Sequence, residues 1–341
     1  MVRHNAPVVL IAVLFVAYGV WQSRILGFSL PTPTDYVLAV RTLLTFCAAL
    51  ILALFGLELV KVRPKSPFAH FKIWAREQRL SHRVWFVAPA FFALIFQSTT
   101  FGVLKSAIPL AHPFDLDPLF ANIDAQIHGG DPWRLIQPIV GYPIISSALN
   151  LTYHLWFALV FFVALFVMGW LERPALRLQY LIAHSLCWIL LGAFAATSLS
   201  SCGPVFYEHF YGDDRFVPLT TYLTEAGTQF PMPALEVQNA LLHWAKTGGQ
   251  GAGGGISAMP SMHLSIATLF ALLGWSVSKR WGIAATVFLG LILIGSVHLG
   301  YHYAIDGYVS IVATSGIWWV CGVVARAYLA RQAKAFATVP V

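Results

Sequence analysis

Apolar residues run along this chain in stretches of membrane length. They do not alternate as in a half-buried strand, nor recur every three to four residues as on a surface helix. Near-continuous runs cover about 7–28, 35–60, 84–104, 142–170, 179–199, 261–278, 282–299 and 302–325, and roughly 20 apolar residues are what a helix needs to cross a hydrocarbon core. The pattern predicts an all-α fold: a polytopic membrane helix bundle of about eight transmembrane helices. A membrane barrel would show segments of about ten residues with alternating polarity instead.

The polar interruptions are unequal. One long connection, about 105–141, is rich in Pro and Asp (Pro113-Phe-Asp-Leu-Asp-Pro118, Asp131-Pro-Trp133) and contains an amphipathic stretch, Leu119 to Ile127, that reads as an interfacial segment or a structural cap over the bundle. The other, about 200–260, contains a short helix over Leu235 to Lys246, then Gly248-Gly-Gln-Gly-Ala-Gly-Gly-Gly255, a flexible hinge or a plain linker.

Composition sharpens this picture. With 58% hydrophobic and 10% charged residues and a mean hydropathy of +0.71, the chain has too little charge to coat a soluble surface. The net charge of +7 and pI of about 9.3 suggest nucleic acid only until the basic residues are located. Lys61, Arg63, Lys65, Lys72, Arg76, Arg79 and Arg83 separate spans two and three, Arg173 and Arg177 separate four and five, and Lys279 and Arg280 separate six and seven. Arg326, Arg331 and Lys334 follow span eight, and Arg3 precedes span one. All fall on one side of an eight-span chain, so they mark topology. The expectation is an integral protein of a bacterial inner membrane, with both termini cytoplasmic, the long connections periplasmic and no nucleic-acid partner. Met1-Val-Arg-His before an apolar run resembles a signal peptide and is read as an uncleaved first span. Cys47, Cys187 and Cys321 lie in spans, and Cys202 has no evident disulfide partner.

Candidate chemistry gathers near the C-terminus, in Ser257-Ala-Met-Pro-Ser-Met-His263 and Gly300-Tyr-His302-Tyr-Ala-Ile-Asp306. His302 and Asp306 are four apart; if a helix begins there they share a face, and the carboxylate holds and polarises the imidazole. His263 supplies a second proton-transferring group. A nucleophilic histidine, an acidic orienter and a general acid are the parts needed to pass a phosphoryl group through a phosphohistidine. Parity of the spans brings Ser200-Ser-Cys-Gly-Pro-Val-Phe-Tyr207, His263 and Leu299-Gly300 to one outer face.

With these motifs the chain resembles the type-2 phosphatidic acid phosphatase superfamily, in the branch that includes inositol phosphorylceramide synthases. Pro260-Ser261-Met262-His263 is similar to that branch's second motif, His302 to Asp306 matches the end of the third, and Gly203-Pro204-Val-Phe-Tyr207 stands in the place of the first. The resemblance covers roughly 84–325 as a six-helix phosphatase-like core, with 1–83 as two added helices and a basic cytoplasmic loop and 326–341 as a cytoplasmic tail. It implies that His302 attacks phosphorus, Asp306 orients it and His263 protonates the leaving oxygen. It also implies a membrane lipid phosphate or phospholipid as substrate, water or an alcohol as acceptor, and neither metal nor other cofactor.

The departures concern charge. Phosphatase members carry a Lys and Arg-Pro in the first motif and an Arg in the third; here Gly295 and Ser296 stand where the third motif has Ser and Arg, and Met262 replaces a glycine. Inositol phosphorylceramide synthases also lack that third-motif arginine. Phosphate still needs positive charge or amides, so the candidates to hold it are the amides of Ser261, Met262 and His263, and the side chains of His298 and Arg215, with Arg134 and Lys246 as further bases on the outer face; Pro204 and Tyr207 join the substrate side through the first motif. Tyr153 and His154 read as an interhelical hydrogen-bonding pair, and His184 receives no role. Two rivals remain: a membrane metalloenzyme using His263, His298, His302 and Asp306 as ligands, and a lipid-binding or transport protein that holds a substrate without transforming it.

Overall fold

The computed structural model describes residues 2–247 and 254–337, which are helical with no strand. Most of the glycine run, 248–253, lies outside the described residues. Helices α1 (Val2–Leu26), α2 (Pro33–Val62), α3 (Pro67–Glu77), α4 (Leu80–Ser106) and α5 (Ile108–Ala111) form the N-terminal third. The first long connection folds into α6 (Asp117–His128) and α7 (Pro132–Val140), and α8 (Pro143–Met168) returns through the bundle. Next comes α9 (Pro174–Leu186), which continues through a π-helical stretch (Cys187–Ala195) into α10 (Ala196–Ser198). The second connection holds a 3-10 turn (Pro204–Phe206), α11 (Tyr207–Tyr211), α12 (Val217–Gln229) and α13 (Pro233–Thr247). The chain closes with α14 (Met262–Val277), α15 (Lys279–His298) and α16 (Ala304–Ala337).

Many of these starts are local. Helices α2, α3, α7, α8 and α9 open on proline, whose fixed φ and missing N–H suit a first turn. Thr32 adds a capping box with Asp35 to α2. Among the described residues seven helices are long and apolar enough to cross a membrane: α1, α2, α4, α8, the continuous Pro174–Ser198, α15 and α16. The expected sixth span is α14, shorter at 16 residues and about 24 Å long. It packs against α15, α16 and α9 and buries a continuous run from Leu264 to Ala271, so it is the central post of the bundle.

At the basic end Arg83 binds the Gly169 carbonyl and the Glu172 carboxylate, and Arg173 donates to the Ser276 carbonyl. Arg177 donates to Met168 O and to Asn5 Oδ1, while Asn5 Nδ2 donates to Phe86 O. These buried contacts stitch α1 to α4 and α9. By contrast α2 buries only Leu43, leaving most of its surface for lipid.

Candidate active site

At the opposite end, backbone hydrogen bonds draw three distant segments together. Ala258 N donates to Ser201 O (2.9 Å), Val205 N to Gly300 O (2.8 Å) and Ser261 N to Asp306 O (3.4 Å). The turn that delivers His302 is a Schellman motif. Tyr301 N donates to Ser296 O and Gly300 N to Val297 O, with Gly300 at φ +72°, a conformation glycine adopts without strain. α15 therefore stops at His298, and His302 lies beyond it.

Helix α6 holds this construction from outside. Its buried face, Asp117, Phe120, Ala121 and Asp124, carries two carboxylates. Asp124 accepts from Ala304 N (2.6 Å) and Ile305 N (2.9 Å), capping α16 from 180 residues away in sequence. Burial pushes its carboxyl above the usual range, and those two amides pull it partly back. Asp117, fully buried, accepts from Ser201 Oγ, Cys202 N, Gly203 N, Tyr211 OH and Tyr303 OH at 2.8–3.1 Å. Burial and the Asp117 charge push both phenols far above the ordinary range, so they remain protonated donors.

Gly203 explains the glycine of the first motif. It has φ +85°, and a Cβ there would lie 2.6 Å from the Tyr301 carbonyl oxygen. Gly203→Ala is expected to strain the backbone and push Tyr301 away, at a cost of about 2–3 kcal/mol. Thermal unfolding checks this; a variant that melts with wild type would contradict it.

His302 is buried, and its Nδ1 lies 2.8 Å from Ala258 O and 3.3 Å from Asp306 Oδ2. Both neighbours only accept, so Nδ1 carries the proton and Nε2 keeps its lone pair. Asp306 and His302 do not share a helix face, because α16 begins at Ala304; the carboxylate reaches back past the helix start. Its Oδ2 also accepts from Tyr303 N (3.0 Å). Across from His302, ring centroids 5.8 Å apart, stands His263. Tyr153 and Trp156 pack against its ring at 4.2 Å, Trp156 Nε1 donates to its backbone carbonyl, and its Nε2 is buried without a partner.

Both histidines line a cavity of about 300 Å³. Its walls come from α4, α8, the π-helical stretch and the segment before α14, and are mostly apolar, with Phe101, Phe157, Val160 and Trp188 among them. The π-helical stretch brings Gly192 against Phe101 and Met262: a Cβ there would lie 2.8 Å from Phe101 Cε2 and 3.1 Å from Met262 Sδ. His184 also lines the cavity, and Trp188 Nε1 donates to its Nε2.

The other candidates are distributed unevenly. Met262 lines the cavity; Ser261 is the buried N-cap of α14, its Oγ accepting from Leu264 N. Arg215 is not at the cavity: it is engaged by Asp131 Oδ1 (2.6 Å), Asn122 Oδ1 and Ala121 O. Burial lowers its pKa, but Asp131 more than offsets this and the net shift is upward. His298 is turned away, its Nε2 sharing a hydrogen bond with Ser146 Oγ (2.7 Å). Pro204 meets His302 only across a second cavity of about 10 Å³, and Tyr207 stacks on Tyr211 and meets Phe216 edge-on. Arg134 and Lys246 are exposed. Among the described residues no group of three or more His, Cys, Asp or Glu is arranged to hold a metal ion, so the four proposed ligands do not form a cage. Tyr153 and His154 are not a hydrogen-bonding pair: Tyr153 stacks on His263 and on Tyr301, while His154 Nδ1 meets Asn150 O. The one Lys or Arg among the described residues that lines the cavity, Lys105 at the end of α4, is absent from the candidate set. Its position at the outer end of span three was the one sequence signal for it.

Searches of curated proteins and of solved structures give no match. A family model described as the PAP2 superfamily matches residues 119–320, a stretch that contains His263, His302 and Asp306 and more than half of the chain. The protein, with seven long apolar helices and a shorter eighth among the described residues, is thus a member of the PAP2 superfamily.

Proposed function

We propose that this protein is a membrane phosphatase or phosphotransferase that moves the phosphoryl group of a lipid phosphate ester through a phosphohistidine on His302. Superfamily membership supports phosphatase-type chemistry on phosphate esters. The observation that carries the finer reading is the position of His302 Nδ1 within reach of Ala258 O and Asp306 Oδ2, two acceptors that favour the proton there and leave Nε2 as the nitrogen available for attack, with the His263 ring 5.8 Å away. In the first half-reaction the Nε2 lone pair attacks phosphorus and the P–O bond to the leaving alcohol breaks. His263 Nε2 delivers its proton to that oxygen. Bonding at Nε2 makes the imidazole cationic, and the Asp306 carboxylate stabilises that charge. In the second half-reaction water or an alcohol attacks phosphorus, its proton passes to His263, and the N–P electron pair returns to His302.

The apolar walls of the cavity support a lipid-borne ester, and the basic-residue pattern supports a periplasmic site in a bacterial inner membrane with both termini cytoplasmic. A second reading, transfer to a lipid alcohol as in inositol phosphorylceramide synthases, is favoured by Ser296. It stands where phosphatase members carry arginine, is fully buried, and donates to Leu293 O. Product analysis with and without alcohol acceptors separates the two.

The role of His263 is tested through the leaving group. His263→Ala is expected to slow turnover of an alkyl phosphate by about 10²–10⁴-fold, and to slow an aryl phosphate, whose phenolate departs without a proton, far less. Equal losses on both substrates would contradict the assignment. Wild-type protein that binds lipid phosphates but turns over none of them, with or without acceptors, returns the chain to the binding or transport reading.

A further inference from the structure

The phosphoryl group proposed above arrives with negative charge, and the cations with which phosphatase members meet it are missing from this chain. The outer-face candidates do not fill the gap. Arg215 is consumed by Asp131, Asn122 and Ala121, while Arg134 is 53% exposed and lies 3.6 Å from Asp131. Lys105 remains. It is the one Lys or Arg among the described residues that lines the cavity shared by His263 and His302. No hydrogen bond or ion pair engages its ammonium among the described residues. A cation facing a mostly apolar cavity without a counter-charge is costly, and that cost is relieved when an anion enters.

The backbone around Lys105 is fixed. Gly255, at φ +90°, packs so closely on the end of α4 that a Cβ would lie 2.7 Å from the Lys105 carbonyl carbon and oxygen. The segment leading into α14 thus clamps the end of α4 at the cavity. Helix α14, 16 residues long, opens there at Met262 and His263, and its first-turn amides have no intrahelical acceptor. Ser261 Oγ satisfies Leu264 N, which leaves the Met262 and His263 N–H groups as donors on residues that line the same cavity as Lys105.

We propose that Lys105 is the phosphate-binding cation of this site: its ammonium, with the free amides that open α14, holds the non-bridging oxygens of a phosphate ester between His302 and His263. Lys105 lies outside the family-matched stretch of 119–320, so the charge comes from a different helix than the first and third motifs. This rests on the phosphoryl-transfer reading for its meaning, but the anion site has a readout of its own.

Detergent-solubilised wild type, Lys105→Met, Lys105→Arg, Arg134→Ala and His302→Ala are compared in two assays. The first is thermal stabilisation by inorganic phosphate and orthovanadate, with the unliganded melting temperature as the check on folding. The second is the KM for a phosphate ester. Lys105→Met is expected to raise both the anion midpoint and KM roughly 10- to 100-fold, the range for losing a hydrogen bond to a charged group. Lys105→Arg recovers most of both, and Arg134→Ala matches wild type. His302→Ala keeps phosphate stabilisation while losing turnover. Equal stabilisation of wild type and Lys105→Met, or none in wild type, overturns the proposal. Lys105-dependent stabilisation without turnover leaves the anion site standing and removes the enzymatic reading; His302-dependent turnover indifferent to Lys105 does the reverse.

Discussion

Replacing His302 is expected to lower phosphoryl transfer by about four orders of magnitude or more, because it is the cavity histidine whose ring is backed by a carboxylate, Asp306, and faces a second imidazole, His263. Two variants separate chemistry from architecture. His302→Ala removes the ring and leaves the buried Ala258 carbonyl without its 2.8 Å partner, at a cost of about 1–3 kcal/mol. His302→Asn keeps an N–H donor near that carbonyl and should melt closer to wild type, yet it offers no nucleophilic nitrogen. Both should be inactive on alkyl and aryl phosphates alike, which distinguishes a missing nucleophile from a missing acid. Turnover by His302→Asn at a tenth of the wild-type rate would contradict the role given to Nε2.

The largest expected loss of stability follows from Asp117→Ala. Its carboxylate gathers five donors from three segments: Ser201, Cys202 and Gly203; Tyr211; and Tyr303 beside the nucleophile. Removing it leaves buried N–H and O–H groups without acceptors, each costing about 1–3 kcal/mol if nothing relaxes. Relaxation will recover part of that, so the expected net loss is about 3–5 kcal/mol. Asp117→Asn is not a mild substitute, since its amide group would point N–H donors at donors. Tyr303→Phe removes one bond and should cost about 1 kcal/mol. Thermal unfolding of the three variants in detergent checks the order. Activity should fail first, since the bonds lost are those that locate Gly203 and Tyr303, whereas α8, α15 and α16 persist in far-ultraviolet dichroism. Asp117→Ala protein that melts with wild type would show that the cluster is ornamental.

The apolar runs were readable because a bilayer leaves few alternatives: a segment that crosses it must satisfy its backbone internally. Even the short α14 was visible as 261–278, although its central position was not. The His302–Asp306 spacing identified the chemical pair but suggested a shared helix face. The helix instead begins at Ala304, capped by Asp124 far upstream, and no local pattern announces a cap supplied over that distance. The same distance hides the cation. Arg215 looked available in sequence, but Asp131, 84 residues before it, claims the guanidinium, while Lys105 looked like the flank of a span. The apolar residues of the Leu119 to Ile127 stretch suggest an amphipathic face, yet Leu119 and Ile127 are exposed and the buried face of α6 carries Asp117 and Asp124. Residue type alone does not tell which face of a short helix meets protein when one neighbour is lipid.

The central claim is a phosphoryl group carried on His302. Rapid quenching of wild-type protein with a radiolabelled lipid phosphate, followed by peptide mapping under alkaline conditions where phosphohistidine survives, tests it most directly. The account predicts a transient, acid-labile phosphoryl adduct on the peptide containing His302, longer-lived in His263→Ala with an aryl phosphate and absent in His302→Asn. Turnover with no adduct on that peptide, or an adduct on another residue, would contradict it.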